Sequence, residues 1–271
     1  MRICIVGIMV IPDEHLQASL DMIRPSYAHV LRPETEVVLK SPQVALRGGS
    51  VTDPDNPYFA MLNKRPVVEA FIEAEREGFD AAIVQCFGDP GVREARAVVD
   101  MPIFGPGESS MHFACQLGRK FAIVGANIPG QLAQLSDQVK AAGLEGRLIP
   151  NGIRFGSVFA KAWDGWCANP QSAVDDVIEV ATGCVRDGAD SVILGCAGIG
   201  PLCSTQGFAK LTVDGQTIPI IDPVTIAMKT AEMAADIKKG MGLPIPARAT
   251  NFVLPSKQDW ARVRSDFGLP V

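Results

Sequence analysis

Two cysteines in this 271-residue sequence stand in settings that favour thiol chemistry. Cys86 and Cys196 each follow a short apolar run and begin a turn rich in glycine and proline. Such a turn leads into a helix, where unpaired backbone N–H groups collect and favour negative charge. These groups can lower the pKa of a thiol and hold a carboxylate or an enolate oxygen. The alternative for any single cysteine is burial as a small hydrophobic residue.

The other five cysteines are predicted to be structural or incidental: Cys4, Cys115, Cys167, Cys184 and Cys203. Cys167 lies beside residues 163–166, which are predicted to form a loop, and Cys203 follows Pro201, so either thiol could be exposed. No CxxC pair and no paired histidines occur, so no zinc site is predicted. The GxSxG and GxxxxGK[ST] motifs are also missing from the sequence, which argues against a serine hydrolase and a P-loop nucleotide site.

An internal repeat connects the two cysteines. Three pairs of segments match in the same order: 2–12 with 120–129, 78–86 with 188–196, and 101–107 with 218–224. In the second pair a glycine ends a helix, an aspartate opens a strand, and the cysteine follows six residues after that aspartate. Ligands of open parallel sheets bind beyond the carboxyl ends of the strands. We therefore expect the two thiols to flank a small molecule from opposite faces.

The elements that position these residues alternate along the chain. Continuous apolar runs, typical of strands covered on both faces, occur at 3–8, 81–84, 121–124, 191–194 and 219–221. Amphipathic helices are predicted between them at 65–77, 108–117, 130–142, 173–186 and 224–238. This alternation predicts an α/β fold: two pseudo-symmetric, doubly wound parallel-sheet halves that face a central cleft.

Composition narrows the class of protein. The chain is 47% hydrophobic, which suits a real core, and its net charge of −5 argues against a nucleic-acid partner. Seven scattered cysteines do not form a disulfide framework and indicate a reducing compartment. No signal peptide is predicted, and the uncharged run 191–209 carries too many glycines and prolines for a membrane span. We expect a soluble, cytoplasmic protein that binds a small molecule, forms homo-oligomers and needs no membrane.

Four segments carry a resemblance to a known family. They read CFGDPG at 86–91, GPGE at 105–108 with MH at 111–112, LGCAG at 194–198, and PIID at 219–222. Together they resemble the aspartate/glutamate/hydantoin racemase superfamily, and most closely its hydantoin and allantoin racemase branch. The similarity extends over most of residues 1–240.

The resemblance implies a fold, a mechanism and a binding site. The halves would interleave, with residues 1–105 plus 223–271 forming the half that carries Cys86, and 106–222 the half that carries Cys196. The two cysteines would act as an acid/base pair that inverts a carbon alpha to a carbonyl. Neither a metal nor pyridoxal phosphate would be required, so no cofactor is expected. The implied substrate-binding residues are Ile8, Phe87, Gly88, Asp89, Glu108, Ala197 and Gly198.

Departures from the family pattern bear on the substrate. Phe87-Gly88 and Ala197-Gly198 stand where amino-acid racemases tend to carry Asn or Thr, which favours a cyclic amide such as a hydantoin or allantoin. The turn 7–12 differs from the branch, and the segment 41–64 and the tail after 240 are longer than the family needs. Alternatives are a maleate-isomerase-like enzyme, an aspartate or glutamate racemase, and, more weakly, an arylmalonate-decarboxylase-like enzyme. A two-lobed small-molecule binding protein is the non-enzymatic alternative.

Overall fold

Two β-sheets form the centre of the molecule in a computed structural model, which describes residues 1–47 and 56–270. The predicted long segment 41–64 therefore lies partly outside the described residues. The strands of the first sheet are β1 (Arg2–Val6), β2 (Glu36–Lys40), β3 (Ala81–Val84) and β4 (Ile103–Phe104). They are all parallel, in the order β2-β1-β3-β4.

The second sheet repeats this arrangement and adds one strand. Its strands are β5 (Phe121–Asn127), β6 (Leu148–Val158), β7 (Ser191–Gly195), β8 (Lys210–Val213) and β9 (Gln216–Ile221). The order is β6-β5-β7-β9-β8, and only the edge strand β8 runs antiparallel within this sheet. Strands β5, β6, β7 and β9 thus take the places of β1, β2, β3 and β4. This shared order agrees with the internal repeat.

The repeated glycine and aspartate have the same structural role in both sheets. Gly78 and Gly188 adopt positive φ angles of 76° and 96° just after a helix ends, where a side chain would be strained. The Asp80 carboxylate accepts the backbone N–H of Arg2 at 2.7 Å, and the Asp190 carboxylate accepts that of Lys120 at 2.8 Å. Each aspartate therefore fixes the start of the neighbouring strand.

Ten α-helices are present in the described residues. They are α1 (Asp13–Tyr27), α2 (Pro57–Arg76), α3 (Val92–Arg96), α4 (Pro106–Leu117), α5 (Gln131–Ala141), α6 (Phe159–Ala168), α7 (Pro170–Arg186), α8 (Ile199–Thr205), α9 (Pro223–Met241) and α10 (Lys257–Asp266). Helices α1 and α9 cover one face of the first sheet, and α2 and α3 cover the other. Helices α4 and α5 cover one face of the second sheet, and α6, α7 and α8 the other. None of the helices described is long and apolar enough to span a membrane.

Two of these helices cross between the sheets. Helix α4 follows β4 of the first sheet, yet its Met111 and Ala114 pack with Phe121 and Ile123 of the second. Helix α9 follows β9 of the second sheet and packs on the first. The predicted fold class is confirmed. The crossing supports the division into 1–105 with 223–271 and 106–222, which stays a prediction.

Several local predictions need correction. Helix α2 begins at Pro57 rather than at residue 65, capped by the side chain of Asn56. Residues 163–166 are helical, within α6, and do not form a loop. Cys203 is fully buried in the core of the second half, and this burial raises its pKa to about 12. Of the two thiols that the sequence allowed to be exposed, only Cys167 is exposed.

The returning helix α9 is fastened by one buried carboxylate. Glu232 is 1% exposed. It accepts the Thr35 hydroxyl at 2.5 Å, the Arg32 backbone N–H at 3.1 Å and the Lys229 ammonium at 2.6 Å. Burial by itself raises the pKa of Glu232, but the hydrogen bonds from Lys229, Thr35 and Arg32 outweigh it and lower that pKa to about 2. The charged form therefore stabilises the attachment of α9 to the segment before β2.

The variant Glu232→Gln is expected to lower the free energy of unfolding at pH 7 by about 1–3 kcal/mol, because the donors lose a charged acceptor. An unfolded glutamate titrates near pH 4.3. The wild-type contribution is therefore complete above that pH and is lost as the pH falls towards about 2. Urea denaturation from pH 7 to pH 3 should show this acid-dependent loss in the wild type and a smaller one in the variant.

The matched control is Glu34→Gln, because Glu34 contacts the same arginine but its side chain is 67% exposed. This control should change stability by less than about 1 kcal/mol. Equal losses in the two variants would contradict the role given to Glu232.

Candidate active site

The two candidate cysteines occupy equivalent places in the two sheets. Cys86 lies two residues beyond β3, and Cys196 directly follows β7. Each of these strands pairs with the first strand of its sheet, β1 or β5. Both cysteines are half-buried. They therefore lie at the carboxyl edges of two related parallel sheets, the place where open α/β sheets bind ligands.

The residue after each cysteine reaches across to the opposite half. Phe87 follows the first sheet, yet it is 3% exposed and packs with Phe121 and Ile193 of the second. Ala197 follows the second sheet and packs in the cluster that contains Ile3 of the first. Both cysteine loops therefore lie at the junction between the halves. The side chains of these two predicted binding residues are engaged in core contacts.

A glycine stands two residues after each cysteine, and each leaves room for a side chain from elsewhere. A Cβ on Gly88 would lie 3.8 Å from the Cys86 sulfur and 2.6 Å from Nε2 of Gln134. A Cβ on Gly198 would lie 3.7 Å from the Cys196 sulfur and within 2.9 Å of the Trp163 ring. Both predicted glycines therefore border the thiols, and each is a close-approach position.

Gln134 and Trp163 lie beside the two cysteine loops, and sequence reasoning did not select them. Gln134 lies on the exposed side of α5, and nothing in its sequence context distinguishes it from a surface residue. Trp163 lies on α6 and stacks on Phe159 at a centroid distance of 4.9 Å. The aromatic spacing 159, 163 and 166 is that of one helix face, and this signal could have identified α6.

The backbone after Cys196 points one polar group at the sulfur. The N–H of Gly198 donates to the Cys196 Sγ at 3.4 Å. The helix that follows Cys196, α8, begins three residues later, whereas α3 begins six residues after Cys86. The predicted turn into a helix is therefore tighter at Cys196.

Asp89 ties the Cys86 loop to the start of α4. Its carboxylate accepts the backbone N–H groups of Gly107 at 2.9 Å and Glu108 at 2.7 Å, and Nε2 of Gln138 at 3.1 Å. A Cβ on Gly105 would lie 2.1 Å from the Asp89 Cγ, so the carboxylate fills the space beside this glycine. Burial raises the pKa of Asp89 to about 7, against the opposing effect of these hydrogen bonds. Asp89, a predicted binding residue, therefore holds the Cys86 loop against the start of α4.

Asp222 makes the corresponding connection in the other half. Its carboxylate accepts the Val224 backbone N–H at 3.0 Å and the Thr225 hydroxyl at 2.6 Å, and so caps α9. A Cβ on Gly200, in the helix after Cys196, would lie 2.7 Å from Asp222 Oδ1. Burial raises the pKa of this carboxyl above its usual range. The Cys196 segment is therefore fitted against the start of α9.

The two remaining predicted binding residues lie in different surroundings. Ile8 is half-buried against the core of the first half, and its carbonyl accepts Nδ2 of Asn63 at 2.7 Å. The Glu108 carboxylate pairs with Arg96 at 2.9 Å, and its side chain is 42% exposed.

Among residues 1–47 and 56–270, no group of three or more His, Cys, Asp and Glu side chains is arranged to hold a metal ion.

Comparison with known proteins gives the family. The family model described as Asp/Glu/Hydantoin racemase matches residues 28–231. A hydantoin racemase from Pseudomonas sp. (strain NS671) is 27% identical over 238 residues, which cover 88% of this chain and 87% of that protein. A hydantoin racemase from Paenarthrobacter aurescens is 29% identical over 223 residues, which cover 78% of this chain and 88% of that protein.

A solved structure agrees with the fold. The allantoin racemase from Klebsiella pneumoniae superposes with a TM-score of 0.73 at 21% identity, covering 95% of this chain and 94% of that one. At this identity the similarity concerns the fold alone. The family match, by contrast, extends over more than half of the chain. The chain therefore belongs to the Asp/Glu/hydantoin racemase family.

Proposed function

We propose that the protein is a cofactor-independent racemase or epimerase that inverts a carbon alpha to a carbonyl, with Cys86 and Cys196 as the acid/base pair. The observation that carries the proposal is the equivalence of the two thiols at the ends of β3 and β7. A reaction that takes a proton from one face and returns it to the other needs two such groups. Names of the relatives, hydantoin racemase and allantoin racemase, support a cyclic amide as the substrate.

The mechanism is a pair of proton transfers. One cysteine, as the thiolate, removes the proton from the substrate carbon, and the electron pair of the broken C–H bond moves into the carbonyl to form an enolate. The other cysteine, as the thiol, donates its proton to the opposite face of that carbon. The two sulfurs thereby exchange protonation states. Well-placed proton transfer contributes about 10²–10⁴-fold to the rate.

The predicted binding residues divide into two groups in this proposal. Gly88 and Gly198 lie beside the thiols, where their backbone can approach the substrate and support enolate charge. Phe87, Ala197 and Asp89 act through the positions of the cysteine loops, because their side chains are held by the opposite half or by α4. We assign Ile8 and Glu108 to the surroundings of the Cys86 side. No cofactor takes part.

The serine variants test the two-thiol mechanism. When the wild type acts on a single enantiomer of a 5-substituted hydantoin in D₂O, the optical rotation of the solution should decay and the hydantoin should gain deuterium at C5. Cys86→Ser and Cys196→Ser should each lower racemisation by about 10²–10⁴-fold. The thiol that remains can still exchange the proton of the one enantiomer it faces, without inversion. The two variants should therefore exchange opposite enantiomers, which polarimetry with NMR of C5 detects.

Cys167→Ser is the matched control, because Cys167 is exposed on α6, and its activity should equal that of the wild type. Full racemisation by either active-site variant would contradict the two-thiol mechanism. Failure of the wild type to act on every hydantoin and on allantoin would refute the proposed substrate class.

A second test concerns the contact between Asp89 and Gly105. Asp89→Ala leaves the N–H groups of Gly107 and Glu108 without their acceptor, which should cost about 1–2 kcal/mol of folding free energy. Because the Cys86 loop loses its attachment, kcat should fall more than KM changes. Gly105→Ala should be similarly harmful, since its Cβ would displace the carboxylate.

The double variant Asp89→Ala/Gly105→Ala separates this contact from other effects. With the carboxylate gone, the added Cβ has space, so the double variant should be no less stable than Asp89→Ala alone. Thermal unfolding of the wild type, the two single variants and the double variant gives the four stabilities of this double-mutant cycle. The variant Asp137→Ala, at an exposed position on α5, serves as a control. Additive losses would show that the two residues do not depend on each other.

A further inference from the structure

The surroundings of the two thiols differ in chemistry, although the thiols themselves are equivalent. Beside Cys86, the residue that approaches the glycine is Gln134, through its amide nitrogen. Beside Cys196, the residue in the corresponding place is Trp163, through the edge of its six-membered ring. One side of the site is therefore polar and the other is apolar.

The Trp163 ring approaches the reacting side closely. A Cβ on Gly198 would lie 2.8 Å from Cη2 and 2.9 Å from Cζ3 of the indole, and the same point lies 3.7 Å from the Cys196 sulfur. The ring edge and the sulfur therefore converge on one small volume. A substrate carbon held against this sulfur has the indole within reach of its substituents.

The indole is also held in place. It stacks on Phe159 with a centroid distance of 4.9 Å and an interplanar angle of 28°. Phe159 in turn meets Trp166 edge-on at 6.1 Å, and Trp166 is 5% exposed in the core of the second half. Trp163 itself is half-buried against the same core. A fixed aromatic surface of this kind binds flat apolar groups at low entropic cost.

We propose that Trp163 is a specificity-determining residue that contacts the substituent of the reacting carbon and favours a flat apolar group over a polar one. This inference rests on the proposed function and adds a substrate preference to it. A benzyl substituent gains contact area and ring stacking against the indole. A ureido substituent, as in allantoin, would lose water from its N–H and C=O groups against a ring edge that offers neither an acceptor nor a donor.

The experiment compares kcat/KM for 5-benzylhydantoin, 5-methylhydantoin and allantoin in the wild type, Trp163→Ala and Trp163→Phe. The wild type should prefer the benzyl substrate. Trp163→Ala should lower kcat/KM for that substrate by roughly 10–200-fold and for allantoin by less than about threefold. Trp163→Phe should recover most of the preference, because a smaller aromatic ring remains.

Trp166→Phe is the matched control, since Trp166 lies on the same helix but in the core. This variant should change kcat/KM for the three substrates by a common factor. Binding is measured separately in Cys86→Ser/Cys196→Ser, where titration calorimetry should show weaker affinity for 5-benzylhydantoin once Trp163→Ala is added.

The outcomes distinguish the two proposals. If the wild type racemises these substrates and Trp163→Ala lowers all three equally, or none, the substrate preference is refuted and the proposed function stands. If the wild type acts on none of them, or if either serine variant keeps full activity, the proposed function fails and the preference falls with it.

Discussion

The structure depends on two aspartate carboxylates, the half-buried Asp89 and the buried Asp222, each of which lies against a glycine that has no side chain to exclude it. Asp89 binds the first N–H groups of α4 beside Gly105, and Asp222 binds those of α9 beside Gly200. The first N–H groups of a helix lack partners within it, so an aspartate there supplies them with acceptors, while burial raises the pKa of both carboxyls. In both halves this contact ties a cysteine segment to a helix start. Helix α4 packs on the second sheet and α9 on the first, so each thiol is held by both halves.

The fold class could be predicted because the inner strands of a parallel sheet are buried on both faces, so their sequences are continuously apolar. The apolar run 81–84 coincides with β3, and the run 191–194 falls within β7. The edge strands gave no such signal. Strand β6 is largely half-buried or exposed, and β2 has charged residues at both ends. Edge strands have one neighbour and more water contact, so their sequences need not be continuously apolar.

The candidate site could be predicted only where residues repeat. Cys86 and Cys196 stand out because the chain contains their setting twice, and the glycines two residues later share that setting. Which side chain fills the space beside a glycine is decided by distant parts of the chain. Gln134 reaches Gly88 from α5, and Trp163 reaches Gly198 from α6. No local pattern records such contacts. The glycine-containing segment 163–166 was predicted to be a loop because its helical character is indicated only by the spacing of its aromatic residues.

The features that the two halves share bear on the reaction, whereas the features in which they differ bear on the choice of substrate. The shared strand order and the paired cysteines place two equivalent groups at one junction, which suits a reaction that must proceed equally well from either face. Racemisation at equilibrium gives equal amounts of both enantiomers, so neither thiol needs an advantage over the other. Substrate choice carries no such requirement. Both Gln134 and Trp163 come from the second half, so this half supplies an amide on one side and an indole on the other. Under the proposed function, equivalent sulfurs are therefore compatible with unlike surroundings, and residues of the second half can set the substrate preference without altering the proposed acid/base pair.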